Sequence, residues 1–199
     1  FPNVKAAEEA SYEEYKANLR RTTENFLITD DHLGEGGPKA KFQANITAIK
    51  LLKYLEETTG QATPEQQKIL SRYVGWGGLA DAFDPEKPAW AAEYAQLKEL
   101  LTRSEYAAAR GSTLNAHYTS PTVIKAIYEA VGRMGFETGN ILEPSCGVGN
   151  FFGMLPEKLR NSRLYGVELD SISGRIAKQL YPKADITVAG FETTDRRDF

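Results

Sequence analysis

The sequence has a single cysteine, Cys146, only two histidines and no long apolar run. One thiol excludes an internal disulfide framework and fits a reducing cytoplasm, where we expect this chain to act. Three potential ligands far apart in the sequence do not make a zinc site. No apolar run approaches the roughly 18 residues of a membrane span, and no signal-peptide pattern begins the chain, so we expect no membrane contact.

Neither sign of charge is in large excess. Lys and Arg total 24, Asp and Glu total 27, and the net charge is -3. This balance excludes a strongly basic nucleic-acid-binding protein, but a local basic groove would still allow a DNA substrate. The 199 residues allow one or two domains. Because the first residue is Phe1 and not Met, we expect a fragment or a processed product.

The first half of the chain has helical patterns. Residues 6–25 are rich in Glu, Ala, Lys and Arg, which favours a helix. An amphipathic stripe with spacings of three and four follows at Phe42, Ile46, Ile49, Leu52 and Leu55. Thr63-Pro64 and the capping-box pair Thr102 and Glu105 begin two more helices. We therefore predict a helical domain over residues 1–110.

A tryptophan lies among glycines at Gly75–Gly78. In one interpretation Trp76 fills the core while the glycines turn the chain, since burying a Trp is a large gain. In the other, this segment is a contact surface for a base or a partner. The sequence leaves both interpretations open.

After residue 110, strand-like runs alternate with helical runs. Ser120 and Pro121 begin a helix that extends to Met134, and Ser171 is the predicted cap of a later one. Short apolar runs typical of buried strands lie at 140–143, 164–169 and 186–189. This alternation predicts an α/β domain over residues 111–199, with three parallel strands and helices between them.

The first strand ends at a carboxylate, Glu143, and a Gly-x-Gly turn follows at Gly147 and Gly149. Ligands of such sheets bind at the carboxyl ends of the strands. The third glycine, Gly153, is one residue too distant for a dinucleotide fingerprint. A Glu at the strand end also suits the ammonium group of S-adenosylmethionine better than a pyrophosphate.

A second acid, Glu168, ends the next strand, with Asp170 two residues later. An acid at this position is placed to accept the ribose hydroxyls of an adenosine. A structural interpretation stays open, in which Glu143 caps a helix and Glu168 is a solvated strand end.

Three segments resemble the cofactor-binding motifs of adenine-specific amino-group DNA methyltransferases, in that family's order. They are Tyr118–Pro121, Glu143–Phe151 and Gly166–Asp170. The resemblance implies that residues 111–199 form the first half of a Rossmann-like, class I methyltransferase fold that binds S-adenosylmethionine. It also implies a parent protein that transfers a methyl group to the exocyclic amino group of adenine in DNA.

The resemblance implies a set of cofactor-binding residues: Tyr118, Thr119, Glu143, Ser145, Gly147, Gly149, Asn150, Glu168, Leu169 and Phe191. Tyr118 and Thr119 would line the methionine end of the cofactor, and Glu143 and Gly147 would contact its amino-acid part.

The same resemblance implies that Glu168 binds the ribose and that Leu169 packs on the adenine. The family usually places an Asp before a Phe after the third strand, to bind the adenine amino group. Here Gly190 precedes Phe191, and Glu192 is an alternative acceptor.

Segments of the first half resemble the region before the methyltransferase domain in large helicase–methyltransferase proteins of conjugative elements and phages. They are Phe26–Thr29, His32–Gly34, Gly36-Gly37 and Tyr73–Gly78. That resemblance would make DNA a partner through the parent protein.

The catalytic loop of this family, Asp/Asn-Pro-Pro-Tyr/Phe, is absent, since no two of the nine prolines are adjacent. We therefore expect the chain to stop before that loop and to be inactive alone. The first strand's edge, 141–143, would then be open for pairing with another chain. Two other hypotheses stay open: a non-catalytic DNA-binding or scaffolding module, and an ordinary nucleotide-binding Rossmann domain.

Four other residues each have a structural and a functional interpretation. Cys146 is a small packing residue or a nucleophile. His117 is an ordinary surface or core residue or a ligand contact, and Arg196 and Arg197 are a solvated tail or phosphate contacts.

Overall fold

The computed structural model describes residues 24–30, 34–58, 60–114 and 118–195. The helix predicted over 6–25 lies almost entirely outside these residues, as do His117, Arg196 and Arg197.

We call residues 38–112 the helical region. Its α-helices are α1 (Pro38–Glu57), α2 (Pro64–Leu70), α3 (Ala91–Leu100) and α4 (Arg103–Ser112). Short 3-10 turns lie at Ala80–Phe83 and Pro88–Trp90. The predicted start signals are confirmed at Thr63 and Thr102, whose side chains close capping boxes with Gln66 and Glu105.

The core of the helical region forms around α1 and Trp76. All five residues of the predicted stripe on α1 are buried. Trp76 is only 1% exposed and meets Phe42 and Phe83 in edge-to-face contacts, with ring centroids 6.1 and 5.2 Å apart. The interpretation that Trp76 fills the core is therefore confirmed.

Residues 121–193, which we call the α/β region, hold the sheet. Its elements are α5 (Pro121–Arg133), β1 (Asn140–Glu143), α6 (Asn150–Gly153), β2 (Arg163–Glu168), α7 (Ser171–Leu180) and β3 (Asp185–Val188). Two more 3-10 turns lie at Glu157–Leu159 and Phe191–Thr193.

The three strands are parallel and run in the order β1-β2-β3. Glu143 pairs with Gly166, and Glu168 pairs with Val188, so the strands end at the same edge of the sheet. The predicted fold class is confirmed: a mixed α/β chain with a helical region followed by three parallel strands of a Rossmann-like fold. Among the described residues β1 pairs with β2 alone, and pairing of its other edge with another chain stays a prediction.

The two regions pack on one continuous hydrophobic core. Gln67 of α2 is buried and donates from Nε2 to the carbonyls of Gln179 and Leu180, at 3.0 and 3.1 Å. The last carbonyls of a helix have no partner within the helix, so Gln67 satisfies the end of α7. In return the Gln179 side chain accepts the backbone N–H of Ala62 at 2.8 Å.

An ion network joins α1, α4 and α7. Glu105 of α4 accepts from Lys53 at 2.9 Å and from the guanidinium of Arg175, which also pairs with Glu56 at 2.9 Å. Burial alone would raise the pKa of Glu105, but the hydrogen bonds from Lys53, from the Thr102 N–H and from Arg175 lower it to about 2. Glu105 is therefore both the capping-box acid of α4 and a link between the two regions.

Candidate functional site

A cavity of about 500 Å³ lies at the carboxyl ends of β1 and β2. One wall comes from the strand ends and the other from the helical region. The lining residues from the α/β side are Tyr118, Thr119, Glu143, Ser145, Cys146, Gly147, Asn150, Phe151, Glu168, Leu169, Asp170 and Ser173, and those from the helical region are Tyr73, Gly75, Ala108, Gly111 and Ser112. The position agrees with the rule that ligands of parallel sheets bind outside the strand ends.

The turn after β1 is built on two left-handed glycines. Gly147 has φ 55° and Gly149 has φ 82°, a backbone conformation that favours glycine. The turn is fixed by the Cys146 N–H, which donates to the Val167 carbonyl at 2.9 Å, and by the Gly149 N–H, which donates to the Cys146 carbonyl at 2.7 Å. The backbone thereby lines the cavity at Gly147.

Glu168 ends β2 with both carboxylate oxygens held by backbone N–H groups. Oε2 accepts from Gly147 at 2.7 Å, and Oε1 accepts from Asp170 at 2.7 Å. Each carboxylate oxygen can accept a second hydrogen bond, so the group is oriented but still able to accept from a ligand in the cavity. Glu168 is therefore not a freely solvated strand end.

Asp170, and not Ser171, is the N-cap of α7. Its side chain accepts the Ser173 N–H at 2.8 Å, and Ser171 is already the first residue of the helix. Both residue types are good caps, but β2 ends at Glu168, which leaves Asp170 at the capping position. Asp170 also accepts from the Ser173 hydroxyl at 2.6 Å.

Glu143 ends β1 with a buried carboxyl oxygen, Oε2, that has no hydrogen-bond partner among the described residues. Burial, and after it the negative charge of Glu168, raise the pKa of Glu143 to about 8. A buried polar atom without a partner is costly, and Glu143 lines the cavity. A cationic or hydrogen-bond-donating ligand would supply the missing partner.

Tyr118 fills the junction between the two walls of the cavity. Its hydroxyl lies 3.2 Å from the Ser173 Oγ, and burial raises its pKa well above the ordinary value for a tyrosine. It also lines a second cavity of about 260 Å³, together with Thr119 and Asn150. Tyr118 and Thr119 therefore lie where the two cavities meet.

Cys146 behaves as a small packing residue. It is 5% exposed, and burial, followed by the charges of Glu168 and Glu143, raises its pKa to about 12. A nucleophilic cysteine needs a lowered pKa, so this thiol is unsuited to nucleophilic catalysis.

The structure brings most of the predicted site residues together in the lining of the larger cavity: Tyr118, Thr119, Glu143, Ser145, Gly147, Asn150, Glu168 and Leu169. Gly149 lies outside this lining, and a Cβ built on it would meet the Tyr181 ring. Phe191 lies outside this lining, in the turn after β3, and is 45% exposed. Their contact with a cofactor stays a prediction.

The sequence analysis left open that Gly75–Gly78 is a contact surface, and Gly75 does line the cavity, but it missed the rest of the wall from the helical region and the role of Ser173. Ala108, Gly111 and Ser112 place small residues three and four apart on α4, which is the local signal for a close-approach face. Nothing local pointed to Tyr73, which comes to the site through the packing of the two regions.

Glu192 lies close to the position where an Asp was expected. A Cβ built on Gly190 would meet both carboxylate oxygens of Glu192. The Glu192 carboxylate therefore occupies the space that a side chain at residue 190 would take.

Within 24–30, 34–58, 60–114 and 118–195, no group of three or more His, Cys, Asp and Glu side chains is arranged to hold a metal ion. In the same part of the chain, every helix is too short or too polar to cross a membrane.

Two characterised proteins are similar to this chain. "Defense against restriction protein B" of Escherichia phage P1 is 26% identical over 159 residues, which cover 80% of this chain and 6% of that protein. "Type II methyltransferase M.CvrRI" of Paramecium bursaria Chlorella virus XZ-6E is 37% identical over 78 residues, or 39% of this chain and 20% of that protein. The chain thus spans only a small part of both relatives. No protein-family model matches it, and no solved structure matches it.

Proposed function

We propose that this chain is the cofactor-binding part of a methyltransferase that uses S-adenosylmethionine and acts on the exocyclic amino group of adenine in DNA. The observation that carries the proposal is a pair of carboxylates at one cavity. The Glu143 carboxyl has a buried oxygen without a partner in the described part of the chain, and the Glu168 carboxylate is oriented by two backbone N–H groups. The partial similarity to a type II methyltransferase supports methyl transfer at this coarse level.

The two acids match different parts of the cofactor. The ionised Glu143 would bind the α-ammonium group, which supplies the missing hydrogen-bond donor and a compensating charge. Glu168 would accept the ribose hydroxyls with its remaining lone pairs. The cofactor supplies a methyl group on a sulfonium centre, which an amine can attack.

The apolar contacts suit the adenosine end. Leu169 lines the cavity next to Glu168 and is 77% exposed, so its apolar surface is open to a ligand. A purine ring packed on Leu169 would cover it. Phe191 and the Glu192 carboxylate are the proposed contacts with the far side and the amino group of the purine.

The choice of adenine in DNA as substrate rests on the resemblance of the Tyr118–Pro121, Glu143–Phe151 and Gly166–Asp170 segments to adenine-specific enzymes. The relative's name describes a type II methyltransferase. DNA is therefore proposed as the partner of the whole protein, and S-adenosylmethionine as the ligand of this chain.

Calorimetric titration of the 199-residue chain with S-adenosylmethionine tests the cofactor. We expect binding, with a large loss of affinity in Glu143→Gln and Glu168→Gln. Glu157→Gln is the matched control, because Glu157 is an exposed carboxylate on a 3-10 turn away from the cavity lining.

The proposal is wrong if the chain does not bind S-adenosylmethionine, or if both site variants bind as tightly as the control. Binding of NAD in place of S-adenosylmethionine would select an ordinary nucleotide-binding domain.

A second candidate is a non-catalytic DNA-binding module, and Gly190 favours it, because a glycine stands where the resembling enzymes have an acid. DNA binding that is independent of S-adenosylmethionine, by a chain that does not bind the cofactor, would support this module.

A further inference from the structure

The Gly75–Gly78 segment meets the cavity through Tyr118, and the proposed function does not yet use that contact. We propose that Gly75 is a positioning residue for Tyr118, so that the helical region sets the shape of the cofactor cavity. This inference rests on the proposed cofactor-binding function and deepens it.

The Tyr118 ring lies between two glycine backbones. A Cβ on Gly75 would lie 2.7 Å from the ring carbon Cε2, and a Cβ on Gly147 would lie 2.8 Å from Cε1 on the opposite edge. Real Cβ atoms do not approach so closely, because carbon atoms at optimal contact are roughly 3.5–4.0 Å apart. The phenol ring fits only because both neighbours lack a side chain.

Hydrogen bonds fix the free end of the ring. The Ser173 hydroxyl donates to the Asp170 Oδ2 at 2.6 Å. The single hydrogen of the Ser173 hydroxyl is thereby used. The Tyr118 hydroxyl, which lies 3.2 Å from Ser173 Oγ, must therefore donate its own hydrogen to Ser173 Oγ. These two hydrogen bonds connect the Tyr118 ring to Asp170, two residues after Glu168 at the end of β2.

The backbone on the other side of the ring is fixed by Asn45. Asn45 is 0% exposed and uses both ends of its amide: Nδ2 donates to the Gly75 carbonyl at 2.5 Å, and Oδ1 accepts the Val74 N–H at 2.9 Å. Because α1 holds this peptide in place, a side chain at residue 75 would displace the Tyr118 ring and not the loop.

Displacement of the Tyr118 ring would change the shape of both cavities at the point where they meet. Tyr118 lines both the cavity of about 500 Å³ and the one of about 260 Å³. Gly75 comes from the opposite wall and touches the larger cavity itself. The cofactor affinity of the α/β region therefore depends on a glycine of the helical region.

The experiment compares Gly75→Ala with Gly78→Ala in the full chain. Both glycines have left-handed backbones, with φ 67° and 72°, so both variants have the same kind of backbone strain. A Cβ at Gly78 would meet no atom of the described residues within 4 Å. We expect both variants to lose thermal stability, but only Gly75→Ala to bind S-adenosylmethionine more weakly, by roughly fivefold or more in calorimetry.

Variants at Tyr118 separate positioning from a general loss of structure. Tyr118→Val removes the ring, so Gly75→Ala should weaken binding no further in that background. Tyr118→Phe keeps the ring, so the effect of Gly75→Ala should persist. Contacting residues typically show a coupling of roughly 2- to 150-fold in an equilibrium constant.

Equal affinities of Gly75→Ala and Gly78→Ala would overturn the inference, and so would the same loss in the Tyr118→Val background as in the native one. In both cases the native chain still binds S-adenosylmethionine, and the proposed function stands. If the native chain does not bind S-adenosylmethionine, both are wrong.

Discussion

The carboxyls of Glu143 and Glu168 repel each other across the ends of the adjacent strands β1 and β2. Burial contributes most to raising the pKa of Glu143 to about 8, and the charge of Glu168 adds to it. Glu168 is the one of the pair that accepts two backbone N–H groups. Near neutral pH Glu143 therefore keeps its proton in the unliganded chain, and a bound ammonium group can replace that proton.

The buried proton makes the stability of the unliganded chain depend on pH. The pKa of Glu143 is raised in the folded chain, to about 8, above the roughly 4.3 of an unfolded glutamate. The folded state thus holds more protons between these values, and its stability falls as the pH rises through them. The full contribution is present below the unfolded pKa and is lost above about 8.

Glu143→Gln keeps the neutral form at every pH. We expect this variant to be more stable than the native chain at pH above about 8 by roughly 1–3 kcal/mol, because Glu143 is only partly buried and solvent screens its charge. Below pH ~4, under the unfolded pKa, the difference should disappear. Urea unfolding at both pH values measures it, and Glu157→Gln should follow the native chain throughout. A constant difference at both pH values would contradict the assignment.

Cofactor binding should release a proton from Glu143. An ammonium group binds the ionised carboxylate, so the affinity of the native chain for S-adenosylmethionine should rise from pH ~6 to ~7.5, by up to roughly tenfold per unit. Calorimetry in buffers of different ionisation enthalpy measures the released proton directly. Glu143→Gln should show neither the release nor the pH dependence, whereas an unchanged release in that variant would assign the proton to another group.

Local sequence patterns predict one wall of the site and not the other. Glu143 and Glu168 follow apolar runs directly, so their positions at strand ends can be read from a few neighbouring residues. Tyr73 and Gly75 reach the cavity only because α1 and α2 pack against α7, and long-range packing leaves no local pattern. Helix starts are also ambiguous, since Asp170 and Ser171 are both good caps.

The ion network of Glu105 should hold the two regions together most strongly above pH ~4.5. Hydrogen bonds from Lys53, the Thr102 N–H and Arg175 outweigh burial and lower the pKa of Glu105 to about 2. For an acid with a lowered pKa, the contribution is present above the unfolded pKa, roughly 4.3, and is lost as the pH falls through about 2.

Glu105→Gln should therefore lower the free energy of unfolding at pH ~7 by about 1–3 kcal/mol, because it leaves Lys53 and Arg175 without their shared partner. The loss should shrink below pH ~4. Urea unfolding against pH measures it, with Glu99→Gln, an exposed acid on α3, as the control. A loss that is the same at pH ~3 and ~7 would show that packing, and not charge, is responsible.

Gly149 should be intolerant of a side chain for two separate reasons. Its φ of 82° is left-handed, and a Cβ there would also lie 2.8 Å from the Cδ2 of the buried Tyr181. Gly135 isolates the first reason, because its φ is 88° and a Cβ there would meet nothing within 4 Å among the residues that the structure describes. We expect Gly135→Ala to cost roughly 1–2 kcal/mol of unfolding free energy, and Gly149→Ala at least about 1 kcal/mol more, since overpacking adds to the strain. Tyr181→Leu should remove part of that extra cost. Equal losses in the two alanine variants would mean that the turn after β1 can move away from Tyr181.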